Sequence, residues 1–338
     1  MALGKTFIIR FDYPSFNMET SNSREYLIFP KLDVGDSVVI REPEINKQGY
    51  WVGAPSVTEL SGNIYLTYRI RRPKGEGRGV INRIARSTDG INFQDVFEIN
   101  KEMLGNTPSI ERSCLVRTGV NFRLYFSYVN PENNMWQIDC VEAESPEKFE
   151  ISSRKKVLDG NMIRASGVKD PWIIQVGDYF LMYVSYAPLP NRNEPGLHAT
   201  GDAFATGLTT SQSALLISKD GLKFVWSGEV IGLGDFWDSS TTRISSITKI
   251  NGGFVAFYDG ASKIEENYEE RCGIAFSTDL KTFNRISVSE PYIEGQNGKS
   301  IRYVDTIRFG NSFLFYFEKT RDDGSHELRV AKVNSFRW

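Results

Sequence analysis

Histidine and cysteine are scarce in this 338-residue chain: His198 and His326 are its two histidines, and Cys114, Cys140 and Cys272 its three cysteines. Two histidines exclude a multi-histidine metal centre, and a Ser-His-Asp nucleophile lacks the G-x-S-x-G elbow that would present it. Three distant cysteines without C-x-x-C spacing exclude a disulfide framework and a zinc site, so buried thiols are expected. No cofactor is predicted, and a carboxylate-bound axial ion is left open. Charge of one sign is lacking too: 40 Lys and Arg face 42 Asp and Glu with no long run of either, so there is no basic footprint for nucleic acid. No segment gives eighteen apolar residues in a row, and Arg10 and Asp12 interrupt the start where a signal peptide needs an unbroken apolar stretch. These absences predict a soluble, cytoplasmic protein with no nucleic-acid or membrane partner. They leave the oligomeric state open.

Aromatic residues are abundant. Twenty-two Phe and 15 Tyr suit pleated, half-buried surfaces better than surface helices, which favours an all-β fold. One short motif recurs, Ser, any residue, Asp, a turn and a closing Phe: S-T-D-G-I-N-F (87–93), S-K-D-G-L-K-F (218–224) and S-T-D-L-K-T-F (277–283), with a looser copy E-S-P-E-K-F (144–149). Its side chains bond to nearby backbone amides, Gly90 and Gly221 supply positive φ, and the Phe re-enters a packed layer. The closing residues Phe93, Phe149, Phe224 and Phe283 are 56, 75 and 59 residues apart, the period of a four-stranded unit with one insertion. Apolar hairpins precede the turns at 55–69, 113–128 and 171–186, and two more follow at 244–260 and 304–318. Five units predict a single five-bladed β-propeller over residues 1–338, with blades at about 50–93, 110–149, 168–224, 242–283 and 301–333. The fifth unit is short of a strand, and T-F-I-I-R-F-D-Y (6–13) is predicted to close the ring.

Aligned on their turn glycines, the units place Gly53-Ala54-Pro55, Glu111-Arg112-Ser113, Lys169-Asp170-Pro171, Arg243-Ile244-Ser245 and Arg302-Tyr303-Val304 at equivalent starts of the innermost strands. Charged groups accept such places only when paired or lining a wet cavity, so a polar axial pocket is expected, with plugging ion pairs as the alternative. Strand ends on the same face add Arg69, Tyr186, Asp259 and Glu318, while Asp305 stands beside Arg302. Trp237 offers a flat face to a sugar ring. The loop from 187 to 212 reads as a lid or specificity loop, and K-G-E-G-R-G (74–79) as a flexible loop with no helix behind it.

The segment K-D-P-W-I-I-Q-V-G-D-Y-F-L-M-Y-V-S-Y (169–186) resembles the Asp-Pro inner strand of five-bladed glycosidases of glycoside hydrolase families 43 and 32. G-G-F-V-A-F-Y-D-G-A (252–261) is similar to the Gly-Trp-Leu, then Tyr-His-Gly, signature of the family 130 mannoside phosphorylases and hydrolases, with Phe254 for Trp and Asp259 for His. The resemblance implies a carbohydrate-active enzyme that cleaves a glycosidic bond in an oligosaccharide or glycoside at the axial mouth. It would act by hydrolysis, or by phosphorolysis with inorganic phosphate as co-substrate. The implied catalytic candidates are Glu111 and Asp170, with Asp259 in reserve: Asp170 matches the Asp that tunes the acid in family 43, and Glu111 lies near the Glu-Asp-Pro-Arg motif of family 130. Arg69, Arg112, Lys169, Tyr186, Trp237, Arg243, Arg302, Asp305 and Glu318 are the substrate-binding candidates. Where family 43 carries its base Asp before Pro, this chain has Ala54, so a non-catalytic sugar-binding propeller is the alternative.

Overall fold

The computed structural model describes the backbone of Phe7–Arg10 and Tyr26–Phe29, together with Leu32 and residues 34–192 and 194–334. Among these residues are 22 strands and a single α-helix of four residues, Gly160–Ile163, so the fold is all-β. Four antiparallel sheets take their strands in chain order. The first holds Trp51–Leu60, Asn63–Arg71, Gly79–Ser87 and Gln94–Asn100, and the second Ile110–Thr118, Asn121–Val129, Trp136–Ala143 and Lys155–Asp159. The third holds Ala165–Val176, Tyr179–Pro188, Gln212–Ser218 and Val225–Ile231, and the fourth Thr241–Ile250, Gly253–Ala261, Arg271–Ser277 and Asn284–Arg285. A fifth sheet runs Ile301–Phe309, Ser312–Thr320 and His326–Asn334.

The strand expected at residues 6–13 does not complete that fifth sheet. Phe7–Arg10 pairs with Tyr26–Phe29 in a ribbon of two, and the rest of the segment lies outside the described residues. The fourth place belongs to Val38–Arg41, which pairs with His326–Asn334. This V-V-I-R segment lies just upstream of the first sheet, so a short connection suffices. Arg41 then secures the seam, donating from Nη2 to Phe93 O and Asp95 Oδ1, both at 2.8 Å, and from Nε to the Tyr68 hydroxyl at 3.1 Å. A parallel bridge from His326 to Trp51 joins the fifth sheet to the first.

Side chains alternate across a strand, and here both faces are apolar because every sheet is covered on both sides. In the third sheet Phe180, Met182 and Val184 face the second sheet with Cys114 and Tyr125, whereas Leu181 and Tyr183 face the fourth with Ile247 and Ala256. The same arrangement fills the layers between the first and second sheets and between the fourth and fifth. Another layer, with Val52, Leu66 and Tyr68 against Leu314, Tyr316 and Leu328, lies between the fifth sheet and the first.

The recurring Ser-x-Asp motif acts as a docking knob. Ser87 Oγ accepts from the Gly90 amide at 2.9 Å and Asp89 Oδ1 from those of Ile91 and Asn92, a pattern repeated at Ser218 with Asp220 and at Ser277 with Asp279. The left-handed residue of each turn offers its carbonyl to a tyrosine of the adjoining sheet: Tyr316 to Gly90 at 2.9 Å, Tyr125 to Gly221 at 2.7 Å and Tyr183 to Leu280 at 2.6 Å.

The first strand of each of the five sheets carries an irregularity near its start, between Gly53 and Ser56, Ile110 and Ser113, Lys169 and Trp172, Ile244 and Ser246, and Arg302 and Asp305. Three of these bulges hold a non-glycine residue at positive φ, Ala54 at 51°, Asp170 at 56° and Tyr303 at 54°. A bulge re-aims the side chain it displaces, and this conformation costs about 1–3 kcal/mol at each such residue.

Two substitutions test the docking knob. Tyr183→Phe removes the hydroxyl that reaches Leu280 and is expected to lower unfolding free energy by about 1–2 kcal/mol. Gly221→Ala, strained at φ 68° with its new methyl 2.9 Å from the Tyr125 hydroxyl, is expected to cost about 1–2 kcal/mol. Urea denaturation reads both, and stabilities equal to wild type would show that the turns do not bind the sheets together.

Candidate functional site

The bulged strand starts and the neighbouring strand ends bring charges from four sheets into one buried chain of alternating sign. Arg71 Nη1 and Arg69 Nε hold Glu111 at 2.8 Å each, and Arg69 Nη2 reaches Glu318 Oε2 at 3.1 Å. Arg302 Nη2 binds Glu318 Oε1 at 2.7 Å and Arg302 Nη1 binds Glu270 Oε2 at 2.6 Å, while Glu270 also pairs with Arg243. His326 stacks on Trp51 and directs Nδ1 at Glu318 Oε1, 2.6 Å away, and Nε2 at Glu269 Oε1, 3.2 Å away. Burial alone would raise these carboxyls, but the arginines outweigh it: Arg69 and Arg71 bring Glu111 below the usual range, Arg302 and Arg69 bring Glu318 far below it, and Arg243 and Arg302 bring Glu270 down to about 2.

Asp259 behaves differently. Its Oδ1 accepts from the Tyr303 amide at 2.8 Å, whereas its Oδ2 is buried without a protein partner. Burial pushes this carboxyl up to about 7 against the pull of Arg243 and Arg302, with the Glu270 charge adding to the rise. Arg243 Nε and Asp170 Oδ1 are likewise buried without partners. Tyr303 links the two acids, its amide on Asp259 and its hydroxyl 3.5 Å from Asp170 Oδ2. Lys169 Nζ lies 3.6 Å from the same oxygen.

The remaining expected site residues divide by place. Arg112 and Asp305 form a separate staple: Arg112 donates to Pro55 O and Ser245 O at 2.6 Å, and Asp305 accepts from the amides of Val57 and Thr306 and from Trp172 Nε1. Burial raises Asp305 to about 6 despite Arg112. Tyr186 and Trp237 stand apart from the charge chain. Tyr186 bonds to Glu229 on the outer strand of the third sheet, and Trp237 stacks on Tyr258 and donates to Ser287 O at 2.9 Å, so both are held by packing against neighbours.

Arg71, Glu270 and His326 belong to the charge chain and lie outside the site residues expected from the sequence. Glu270 precedes the third strand of its sheet and His326 opens that of its own, whereas the recurring glycine-centred hairpins mark only first and second strands. The K-G-E-G-R-G segment departs from a free loop at its fifth residue, because Arg78 is buried and bonded to Asp202 at 3.0 Å. Asp202 belongs to the long 187–212 loop, which sets Phe204 on Lys169 at 5.0 Å. Among the described residues no three His, Cys, Asp or Glu side chains are grouped to hold a metal ion.

No protein-family profile matches the sequence, and no curated protein matches it. Solved structures do. A thermostable family-43 glycoside hydrolase aligns over 85% of this chain and 90% of its own at 13% identity with a TM-score of 0.62. The fold is that of glycoside hydrolases. A GH43_1 enzyme from Xanthomonas citri complexed with xylotriose aligns over 88% of this chain and 90% of its own, at 12% identity and TM-score 0.59. A structure from the GH130 family of mannoside phosphorylases, described as containing glycoside hydrolases that target beta-1,2 mannosidic linkages in Candida mannan, aligns over 84% of both chains, at 15% identity and TM-score 0.57. What this chain shares with those enzymes is the fold.

The Asp259 carboxyl makes a prediction about pH. An unfolded Asp releases its proton near pH 4 and the folded one near 7, so in that window the native state holds the extra proton and stability falls as pH rises. Asp259→Asn does not titrate. Its urea midpoint is expected to gain on wild type from about pH 4 to about pH 7 and to level off above; a pH-independent difference would refute the raised carboxyl.

Proposed function

We propose that the five sheets are the blades of one closed five-bladed β-propeller and that the chain is a carbohydrate-active enzyme cleaving a glycosidic bond at its axial mouth. The observation that carries the reading is Asp259, a carboxyl raised to about 7 with one oxygen free of protein partners and the unpartnered Arg243 Nε in the same network. Such a group holds its proton near neutrality and can pass it to a leaving glycosidic oxygen. Hydrolysis would require a second carboxylate to activate water or attack carbon. Glu111, Glu270 and Glu318 are each occupied by arginines, and the family 43 base position is Ala54. Phosphorolysis needs only the acid, since an oxygen of inorganic phosphate forms the new bond to the anomeric carbon as the old C–O bond breaks and Asp259 protonates the departing oxygen. Lys169 and Arg243 supply positive charge for that dianion. Asp170 then acts as a positioning residue through Tyr303, and Glu111 belongs to the charge chain.

A second reading, sugar binding without turnover, is favoured by Ala54 itself. One assay separates them: a glycoside panel with and without inorganic phosphate. Phosphate-dependent release of a sugar phosphate is expected, reduced about 100-fold or more in Asp259→Asn. Undiminished turnover in that variant would remove Asp259 as the acid, and ligand binding with no turnover would establish the second reading.

A further inference from the structure

Asp202 is an acid held by residues that lie far from it in sequence. It is 2% exposed, and none of its three side-chain donors lies on its own loop. Trp136 Nε1 donates to Oδ1 at 3.1 Å, and Arg78 Nη2 and the Tyr268 hydroxyl donate to Oδ2, each at 3.0 Å. Trp136 opens the third strand of the second sheet, Arg78 precedes the third strand of the first, and Tyr268 precedes that of the fourth. A guanidinium, an indole N–H and a phenol converging on one carboxylate is a receptor for an anionic ligand, and here the chain itself fills it. Phe204 lies on the Lys169 ammonium, whose other aromatic neighbour is Trp136 at 5.3 Å, so the same loop covers the cation beside Asp170. Arg78 Nη1 also donates to Thr200 O at 2.9 Å, so one residue holds both the acid and the backbone of the loop.

We infer that Arg78, Trp136 and Tyr268 form a carboxylate subsite for a uronic-acid-containing glycoside, and that Asp202 occupies it as an internal substitute while the 194–211 loop is closed. The inference rests on reading the mouth as a carbohydrate site, and it names the substrate class. A neutral sugar displacing Asp202 would leave the buried Arg78 charge without its counter-charge, whereas a uronate would restore it. Closure and acidic-sugar binding are therefore alternatives at one set of donors.

Thermal unfolding of Asp202→Ala with added ligand tests this without requiring turnover, so its outcome is independent of the glycoside assay. The variant is expected to melt below wild type and to be raised by sodium acetate and by sodium glucuronate. Glucose, or sodium chloride at the same concentration, should leave it unchanged. By calorimetry glucuronate should bind the variant about tenfold or more tightly than wild type, where Asp202 competes. Adding Arg78→Met should abolish the response. Asp202→Asn, which keeps an acceptor for Trp136 but no charge, carries the same expectations and serves if the alanine variant does not fold. Equal responses to glucose and glucuronate, a response to acetate without one to glucuronate, or no response in either folded variant would each overturn the subsite. Glucuronate binding with no turnover of any glycoside would leave the subsite standing and remove only the enzyme.

Discussion

Glu318 is the residue on which the centre of the molecule depends. Its Oε2 receives the Ala54 amide at 2.9 Å and Arg69, while its Oε1 receives Arg302 and His326, so one carboxylate serves the first sheet and both ends of the fifth. Buried arginines are tolerated only when their charge is met, and removing one partner from such a pair commonly costs about 3–5 kcal/mol. Gly53 makes the arrangement physically available, because a Cβ there would lie 2.2 Å from Glu318 Oε2. The chain's upstream and downstream strands are therefore joined twice: by backbone pairing through Val38–Arg41, and by charge pairing through Glu318.

Around this centre the sheets are held by contacts that repeat. Apolar layers alternate with sheets, and tyrosine hydroxyls reach from one sheet to the turn of the next. Such packing on both faces fixes the first strand of each sheet firmly enough to hold Ala54, Asp170 and Tyr303 in left-handed conformations. The unfavourable backbone geometry sits where side chains from different sheets must meet, and it turns Tyr303 so that its amide serves Asp259 while its hydroxyl approaches Asp170.

What could be read from the sequence follows from what is local. The Ser-x-Asp turns and the glycine-centred hairpins carry their signal within a few residues, so the repeat and the equivalence of the bulged starts were legible, and Lys169, Asp170, Glu111, Arg302 and Glu318 came with them. The pairings among them were not, because an ion pair between sheets leaves no spacing rule: Arg69 and Glu318 were both candidates, yet they are remote in the chain and adjacent in space. Glu270 and His326 stand at third-strand starts, which vary in length and turn chemistry and resist alignment. Asp202 lies in an insertion that has no counterpart in the other units. The strand beside His326–Asn334 was misplaced because T-F-I-I-R-F-D-Y has the stronger strand pattern, whereas the four-residue V-V-I-R wins by proximity to the first sheet and through the contacts of Arg41.

Of the residues missed, Glu270 bears most on chemistry. Arg243 pairs with Asp259 in the strand register, and an arginine facing an aspartate ordinarily lowers its proton affinity. Here the Arg243 guanidinium is bound by Glu270, and Arg302 is shared between Glu270 and Glu318, so much of their field is already neutralised when it reaches Asp259. The Glu270 charge itself also disfavours a second anion close by. Burial then decides the outcome, and Asp259 keeps its proton near neutrality while Glu270 and Glu318 are held below the usual carboxylate range. The proton affinity of the candidate acid is thus set first by burial, and Glu270 adds to the rise by its own charge and by binding the arginine that would otherwise lower it.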